Sequence, residues 1–287
     1  MRNRTTVASG LFRVPAVLLF LVLFVQGVPA GAADPAARPK IVASTSLIAE
    51  IAADLLGTAA EITTLIPPAS CPGHYDLRPE DLKRLSAAQL FLLHDWQGDR
   101  FGEPLLRAAA NPALQRVVLA VPGTWMVPAV QARATERIAG VLAEAWPLRR
   151  EEILAAARRR VTAVHRAESR GEARLASVRG GAIAVLADAM QADFVRWAGL
   201  TVAGVFGRGE EMTPAEFAQA VRDGRRAGVR LVVENLQSGN LAGRAIAREL
   251  GVPAVTLSNF PGGFPGTETW EKAFAHNVSL LAAGLAP

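Results

Sequence analysis

Residues 148–178 constrain the fold of this chain more than any other stretch. Ala, Arg and Glu dominate it, Pro147 breaks the chain just before it, and Gly180-Gly181 breaks it just after. Those residue types favour helix by propensity, so the pattern from Leu148 to about Val178 predicts one long helix. Its apolar residues, Ile153, Leu154, Val161, Val164 and Leu175, are sparse for its length. A helix this polar is expected to be exposed along much of its surface and to run across both halves of the molecule instead of filling one core.

On either side of that helix the sequence alternates short apolar runs with helical patterns. Before it, strands are predicted at Ile41–Ala43, Glu61–Leu65, Gln89–Leu93 and Val117–Val121, and helices at Leu47–Leu56, Glu80–Ala88 and Gln131–Trp146. After Gly180-Gly181 the pattern begins again, with strands at Ala182–Leu186, Thr201–Phe206, Val229–Glu234 and Val252–Leu257. Helices are predicted at Ala189–Ala198, from Thr213, at Leu241–Leu250 and at Trp270–Ala283. Thr213-Pro214 with Glu216 has the form of a capping box with proline at the first helical position. Strand-then-helix repetition on both sides predicts an α/β clamshell: two lobes, each a parallel-type sheet with flanking helices, joined by one long helix. The divisions are 40–147 for the first lobe, 148–179 for the linking helix and 180–287 for the second.

Residues 1–33 stand apart. Arg2 and Arg4 precede an almost uniformly apolar run, Val14–Val25, and Pro29-Ala-Gly-Ala-Ala33 supplies small residues for cleavage, the layout of a signal peptide. Cleavage there leaves about 254 residues, enough for two lobes. The formal charge of +5 includes Arg2, Arg4 and Arg13, so the mature chain carries 28 basic against 26 acidic residues. With the arginines dispersed among glutamates, nucleic acid is not an expected partner. The chain has a single cysteine, which excludes an internal disulfide in an oxidising compartment.

That cysteine sits in the stretch with the densest chemistry, Ile66-Pro-Pro-Ala-Ser-Cys-Pro-Gly-His-Tyr-Asp-Leu-Arg-Pro-Glu-Asp81. The stretch lies between a predicted strand and a predicted helix, so it reads as a loop fixed at both ends, where binding groups belong. Cys71 and His74, three residues apart through Pro-Gly, are close enough to meet on one ion, with Asp76 two residues further on. A plain turn with a solvent-facing histidine is the competing reading. If the lobes face each other through their strand carboxyl ends, the cleft also receives Ser44–Ser46, His94–Gln97, Thr124–Met126, Asp188–Gln191, Arg208–Met212, Glu234–Gln237 and Ser258–Pro261. Glu234 ends an apolar strand, where a carboxylate is costly unless paired, hydrated or ligating. Glu210 and Glu211 precede a helix start, which also favours acids on electrostatic grounds alone. Imidazole, thiolate and carboxylates are ordinary donors for zinc and similar divalent cations. The chain has no Gly-rich phosphate loop, no His-Glu-x-x-His pattern and no repeated cysteine pair, and catalysis is not expected.

The run Ile41-Val-Ala-Ser-Thr-Ser, the segment Leu65-Ile-Pro-Pro with His74-Tyr75 and Pro79-Glu-Asp-Leu82, Thr124-Trp-Met-Val-Pro128 before a helix, and Ala245–Leu257 followed by Asn259 together resemble the metal-binding periplasmic components of ABC transporters. The resemblance covers roughly residues 40–285 and implies the zinc and manganese solute-binding fold. By position His74 matches that family's first histidine ligand. The second ligand position holds Thr124, the third falls in Leu186-Ala-Asp-Ala-Met-Gln191, and the fourth in Ser258-Asn259; none of these keeps the family's usual group. Either the site is rebuilt from Cys71, His74 and acids such as Asp76, Asp188, Glu211 or Glu234, or the ligand is no longer a bare ion.

The sequence therefore predicts a monomeric, non-catalytic, exported binding protein of the periplasm. It would deliver a divalent metal cargo, Zn2+ first, to an ABC permease, with His74, Cys71, Glu234, Glu211 and Asp76 as metal donors. A chelated metal or small organic ligand is the alternative, favoured by Trp96, Trp125, Gln191 and Gln237 in the cleft. An interaction role without transport is a third.

Overall fold

The computed structural model of the chain describes residues 38–98, 101, 103–176, 178, 181–239 and 241–286; the leader read at 1–33 lies outside them. Two four-stranded parallel sheets carry the architecture. The first is ordered β2 (Glu61–Thr64), β1 (Lys40–Ala43), β3 (Leu90–His94), β4 (Gln115–Leu119). The second repeats that topology as β6 (Thr201–Phe206), β5 (Ala184–Asp188), β7 (Leu231–Asn235), β8 (Ala254–Leu257). Strands β3 and β7 are buried at every position, as inner strands covered by helices on both faces must be.

Around the first sheet lie α1 (Ser46–Leu56), α2 (Pro79–Ala87), α3 (Glu103–Ala109) and α4 (Pro128–Ala145). The seven-residue α3 has no counterpart in the sequence reading; it is too short for a periodic signal. Then comes α5 (Arg150–Ala176), followed in the second half by α6 (Ala192–Trp197), α7 (Pro214–Ala227), α8 (Leu241–Leu250) and α9 (Trp270–Leu285). The predicted capping box forms: Thr213 Oγ1 accepts from the Glu216 amide and Glu216 Oε2 accepts from the Thr213 amide. At the other end of α7, Gly228 closes the helix in the left-handed conformation, φ 60°, which glycine adopts without steric cost. Among the described residues no helix is long and apolar enough to cross a membrane.

The long helix forms as predicted, but it is less exposed than its composition implied. Ile153, Ala156, Ala157, Arg160, Val164, Ala167, Gly171 and Leu175 are buried along it. Their three- and four-residue spacing is one continuous stripe, hidden from a hydropathy reading because alanine and glycine carry half of it. The small residues bring neighbours close: a Cβ on Gly171 would lie 2.8 Å from the Phe274 ring of α9. Helix α5 packs on α1 and α4 from the first half and on α9 from the second. One apolar core runs through both, from Ile41 and Ile48 to Leu231 and Trp270.

A buried charge fixes this arrangement. Arg160, 4% exposed, donates from Nη1 to Glu50 and Asp54 of α1 and from Nη2 to Glu50. Glu50 also accepts from the Trp270 amide at the start of α9, at 3.1 Å. Arg160→Met strands the Glu50 carboxylate and is expected to cost about 3–5 kcal/mol in urea unfolding. Adding Glu50→Leu removes the stranded charge and is expected to recover much of that loss. A single variant as stable as wild type would mean that small-residue packing alone holds the helix.

Candidate functional site

The buried polar residues of this protein gather where its strands end. Ser44 and Thr45 follow β1, His94 ends β3 with Gln97 just beyond, Asp188 ends β5 with Gln191 beyond, Asn235 ends β7 before Gln237, and Ser258 follows β8; all are buried. Buried polar groups are tolerated when hydrogen-bonded, and these bond one another. Ser44 Oγ donates to Gln97 Oε1 at 2.6 Å, and Gln97 Oε1 also accepts from the His94 amide. In the second half, Gln191 Nε2 donates to Oδ1 of both Asn235 and Asn259 at 3.0 Å, and Asn259 Nδ2 donates to Asn235 Oδ1 at 3.1 Å. Gln237 crosses to the first half, donating from Nε2 to the Pro68 carbonyl at 2.7 Å. Ser46 Oγ crosses the other way to the Pro261 carbonyl at 2.8 Å.

Between the two sets of strand ends is a cleft of about 520 Å³. Leu47, His94, Trp96 and Trp125 line it from the first half, and Met190, Arg208, Asn235 and Asn259 from the second. His94 stacks on Trp96, with centroids 5.1 Å apart, and meets Trp125 edge-on at 4.4 Å. Its Nε2 lies 2.9 Å from Thr45 Oγ1.

At the rim, the 66–81 loop meets the loop after β6. The first loop is anchored by Asp81, whose Oδ2 accepts from the Arg78 amide and from the Tyr75 hydroxyl at 2.7 Å. Burial and that bond push the Tyr75 phenol up to about 12. A 3-10 turn, Pro72–His74, presents Cys71 and His74 to Arg208. Arg208 donates from Nη2 to Cys71 Sγ at 2.6 Å and from Nη1 to His74 Nδ1 at 3.0 Å. A guanidinium has only donors, so Nδ1 is the acceptor in that bond. Glu210 Oε1 lies 3.5 Å from His74 Nδ1 and 3.7 Å from Arg208 Nη1. His74, Glu210 and Glu211 place donor atoms within 4.8 Å of one another, and all three are exposed.

The predicted metal donors thus divide. His74 and Glu211 come together with Glu210, and Cys71 adjoins them through Arg208. Asp76 stands exposed outside that group. Glu234 corrects the sequence reading: its carboxylate is turned to the opposite face of the sheet from Asn235. There it accepts from the Arg244 amide at 2.8 Å and from Thr256 Oγ1 at 3.0 Å. It is seated beneath the first turn of α8, where a Cβ on Gly243 would lie 2.4 Å from its Cγ. Burial pushes its pKa up, and those bonds pull against the rise.

The remaining positions singled out by the resemblance carry neutral or inward-bonded groups. Thr124 Oγ1 reaches across to the Met190 carbonyl at 3.5 Å. Ser258 Oγ accepts from Gln237 Nε2 and from the Phe260 amide, and Asp188 Oδ1 accepts from the Met190 amide. Arg208 is the residue whose part was missed. Its signal was an arginine flanked by two glycines, between a strand end and a capped helix.

The family model described as "Zinc-uptake complex component A periplasmic" (ZnuA) matches residues 41–284. A curated relative, the uncharacterized protein RP014 of Rickettsia prowazekii (strain Madrid E), is 30% identical over 95 residues. That alignment spans 33% of this chain and only 29% of the relative's length. Among solved structures, a crystal structure of ZnuA superposes with a TM-score of 0.71 at 20% identity, covering 87% of this chain and 100% of that one. The solute-binding protein FpvC of Pseudomonas aeruginosa, solved in complex with Mn2+, gives 0.74 at 20% identity, covering 87% and 99%. At these identities the likeness to solved structures is one of fold.

The buried imidazole of His94 sets a pH dependence. Burial pushes its pKa down from 6.5 to about 3, so the unfolded chain takes up a proton there as pH falls through 6.5 while the folded chain stays neutral. The stability is complete above the unfolded value and is lost between the two, at about 1.4 kcal/mol per pH unit. His94→Gln is expected to flatten this slope relative to wild type in urea unfolding between about pH 7 and about pH 4.5. Parallel slopes would show that His94 takes up its proton in the folded state.

Proposed function

The chain belongs to the family of the periplasmic zinc-uptake complex component A, and on that premise we propose that it is the solute-binding component of an ABC importer. It is exported to the periplasm by the leader read at residues 1–33 and acts as a monomer. It captures a divalent metal ion between its lobes and presents the closed molecule to a membrane permease. The observation that carries the reading is the group His74, Glu210 and Glu211, one imidazole from the first half and two carboxylates from the second. An ion held there ties the halves together at the rim, as cargo recognition by a clamshell requires.

The donor set favours zinc. One nitrogen and two oxygens, with water or the Cys71 sulfur as the fourth donor, suit a borderline cation in tetrahedral geometry. Zinc uptake is also the role that the family's description names, while FpvC in complex with Mn2+ marks manganese as the ion to compare. Arg208 is part of the binding step. A metal bound through Nδ1 of His74 must take the lone pair that Arg208 now occupies, so the guanidinium moves as the ion arrives. The Cys71 and His74 side chains each bond to Arg208, and the hydrogen bond that links the two residues directly is a backbone one, from the His74 amide to the Cys71 carbonyl at 3.2 Å. That supports binding over a nucleophile–base role.

Metal content and titration of the purified protein with zinc, manganese, iron, cobalt and nickel test the reading. One ion per chain is expected, zinc tightest. His74→Ala and Glu211→Gln are each expected to weaken zinc about tenfold or more, and Asp76→Asn to leave it unchanged. No binding across the five ions, or an unaltered affinity in His74→Ala, would sink the metal reading.

A further inference from the structure

Below the rim, the cleft has a chemistry opposite to that of a cation site. A metal needs lone pairs, and the second half offers the cleft mainly hydrogens. The Oδ1 atoms of Asn235 and Asn259 are both spent on Gln191. Each asparagine amide carries two hydrogens. One on Asn235 goes to Ser238 Oγ and one on Asn259 goes to Asn235 Oδ1, which leaves each a further N–H. Arg208 adds a guanidinium with five N–H groups, of which the bonds to Cys71 and His74 use two. Among the described residues one carboxylate borders the cleft, Asp193, and it is paired with Arg196 at 2.9 Å.

Apart from His94, Thr124 and Gln237 the rest of the lining is apolar, and two of its members are uncovered. Trp96 from the first half is 59% exposed and Met190 from the second is 55% exposed, and both border this cavity. Trp96 has one ring face backed by His94, which is neutral and nine-tenths buried or more. An indole held by a stacked neighbour and left open on a cavity is a ready surface for a flat ring, and a methionine lining the same cavity from the second half can adapt to such a ring.

We propose that the cleft binds a small organic acid with a planar aromatic body. The ring lies between Trp96 and Met190, and the carboxylate accepts from Arg208 and from the amide hydrogens of Asn235 and Asn259. Charge-assisted bonds from a guanidinium to a carboxylate are the strong kind. The site uses none of the carboxylates or the imidazole assigned to the metal, and Arg208 is the one residue common to the two.

The test is calorimetry and tryptophan fluorescence on protein purified from the periplasmic fraction, titrated with benzoate, salicylate and indole-3-acetate. Benzamide, which lacks the charge, and acetate, which lacks the ring, are the controls. At least one aromatic acid is expected to bind saturably, one per chain, and to change the fluorescence, with both controls weaker by about tenfold or more. Trp96→Ala and Arg208→Gln are each expected to weaken that acid by a similar factor. Trp96 is exposed, so its removal leaves the fold intact, and zinc titration of the same variant separates this site from the rim. Absence of saturable binding by all three acids up to about 10 mM, or equal affinity in wild type and Trp96→Ala, overturns the proposal, whatever the metal titration gives.

Discussion

The arrangement of the two halves depends on how α5 is held, and the Arg160 cluster holds it. A buried guanidinium is tolerated only when its charge is met and its donors are used. Here the two carboxylates come from α1, and one of them also receives the first amide of α9. One cluster therefore fixes the long helix against an element of each half. The apolar core passing from one sheet to the other makes the same link without charge. Opening the halves widely would break that core.

Such a frame lets the strand ends be polar. Each sheet delivers side chains at the carboxyl ends of its parallel strands, and packing elsewhere supplies the stability that these positions do not. Ser44, Gln97, Gln191, Asn235, Gln237 and Ser258 are all buried, yet each finds a partner in the network. Neutral amides suit such a place because they have no charge to desolvate, although Gln97 Nε2 and Gln191 Oε1 are left without a hydrogen-bond partner. Bonds across the interface, from Gln237 to Pro68 and from Ser46 to Pro261, make the network a gauge of closure as well as a lining.

Much of this was legible in the sequence. The ends of β6 and α8 and the capping box at Thr213 were placed to the residue, because turn chemistry marks them. The burial of α5 was not, because Ala156, Ala157, Ala167 and Gly171 make a buried stripe without raising hydropathy. Glu234 shows a second limit. Period-two alternation says that Glu234 and Asn235 face opposite ways, but in a strand buried on both faces nothing local says which face meets the cleft. The amide took the cleft, and the acid took the amide end of α8. Loop chemistry was legible as residue types: Cys71, His74 and Glu211 were singled out. That an arginine stands among them follows only from the meeting of two loops more than a hundred residues apart in sequence.

That arginine gives the interface its logic. The Cys71 sulfur, the Nδ1 lone pair of His74 and the Glu210 carboxylate turn electron-rich atoms toward one another, and such a convergence needs positive charge in it. Arg208 supplies the charge from within the chain. A divalent ion at the same atoms would supply it from outside and release the guanidinium toward the cleft. The cleft, lined by amide hydrogens and open aromatic surface, has the opposite need, an anionic or acceptor-rich guest. The two compartments share Arg208 as their boundary, so filling one alters the charge seen by the other. A cation at the rim and an anion in the cleft would each meet Arg208, and its charge would couple the two proposed sites through electrostatics alone.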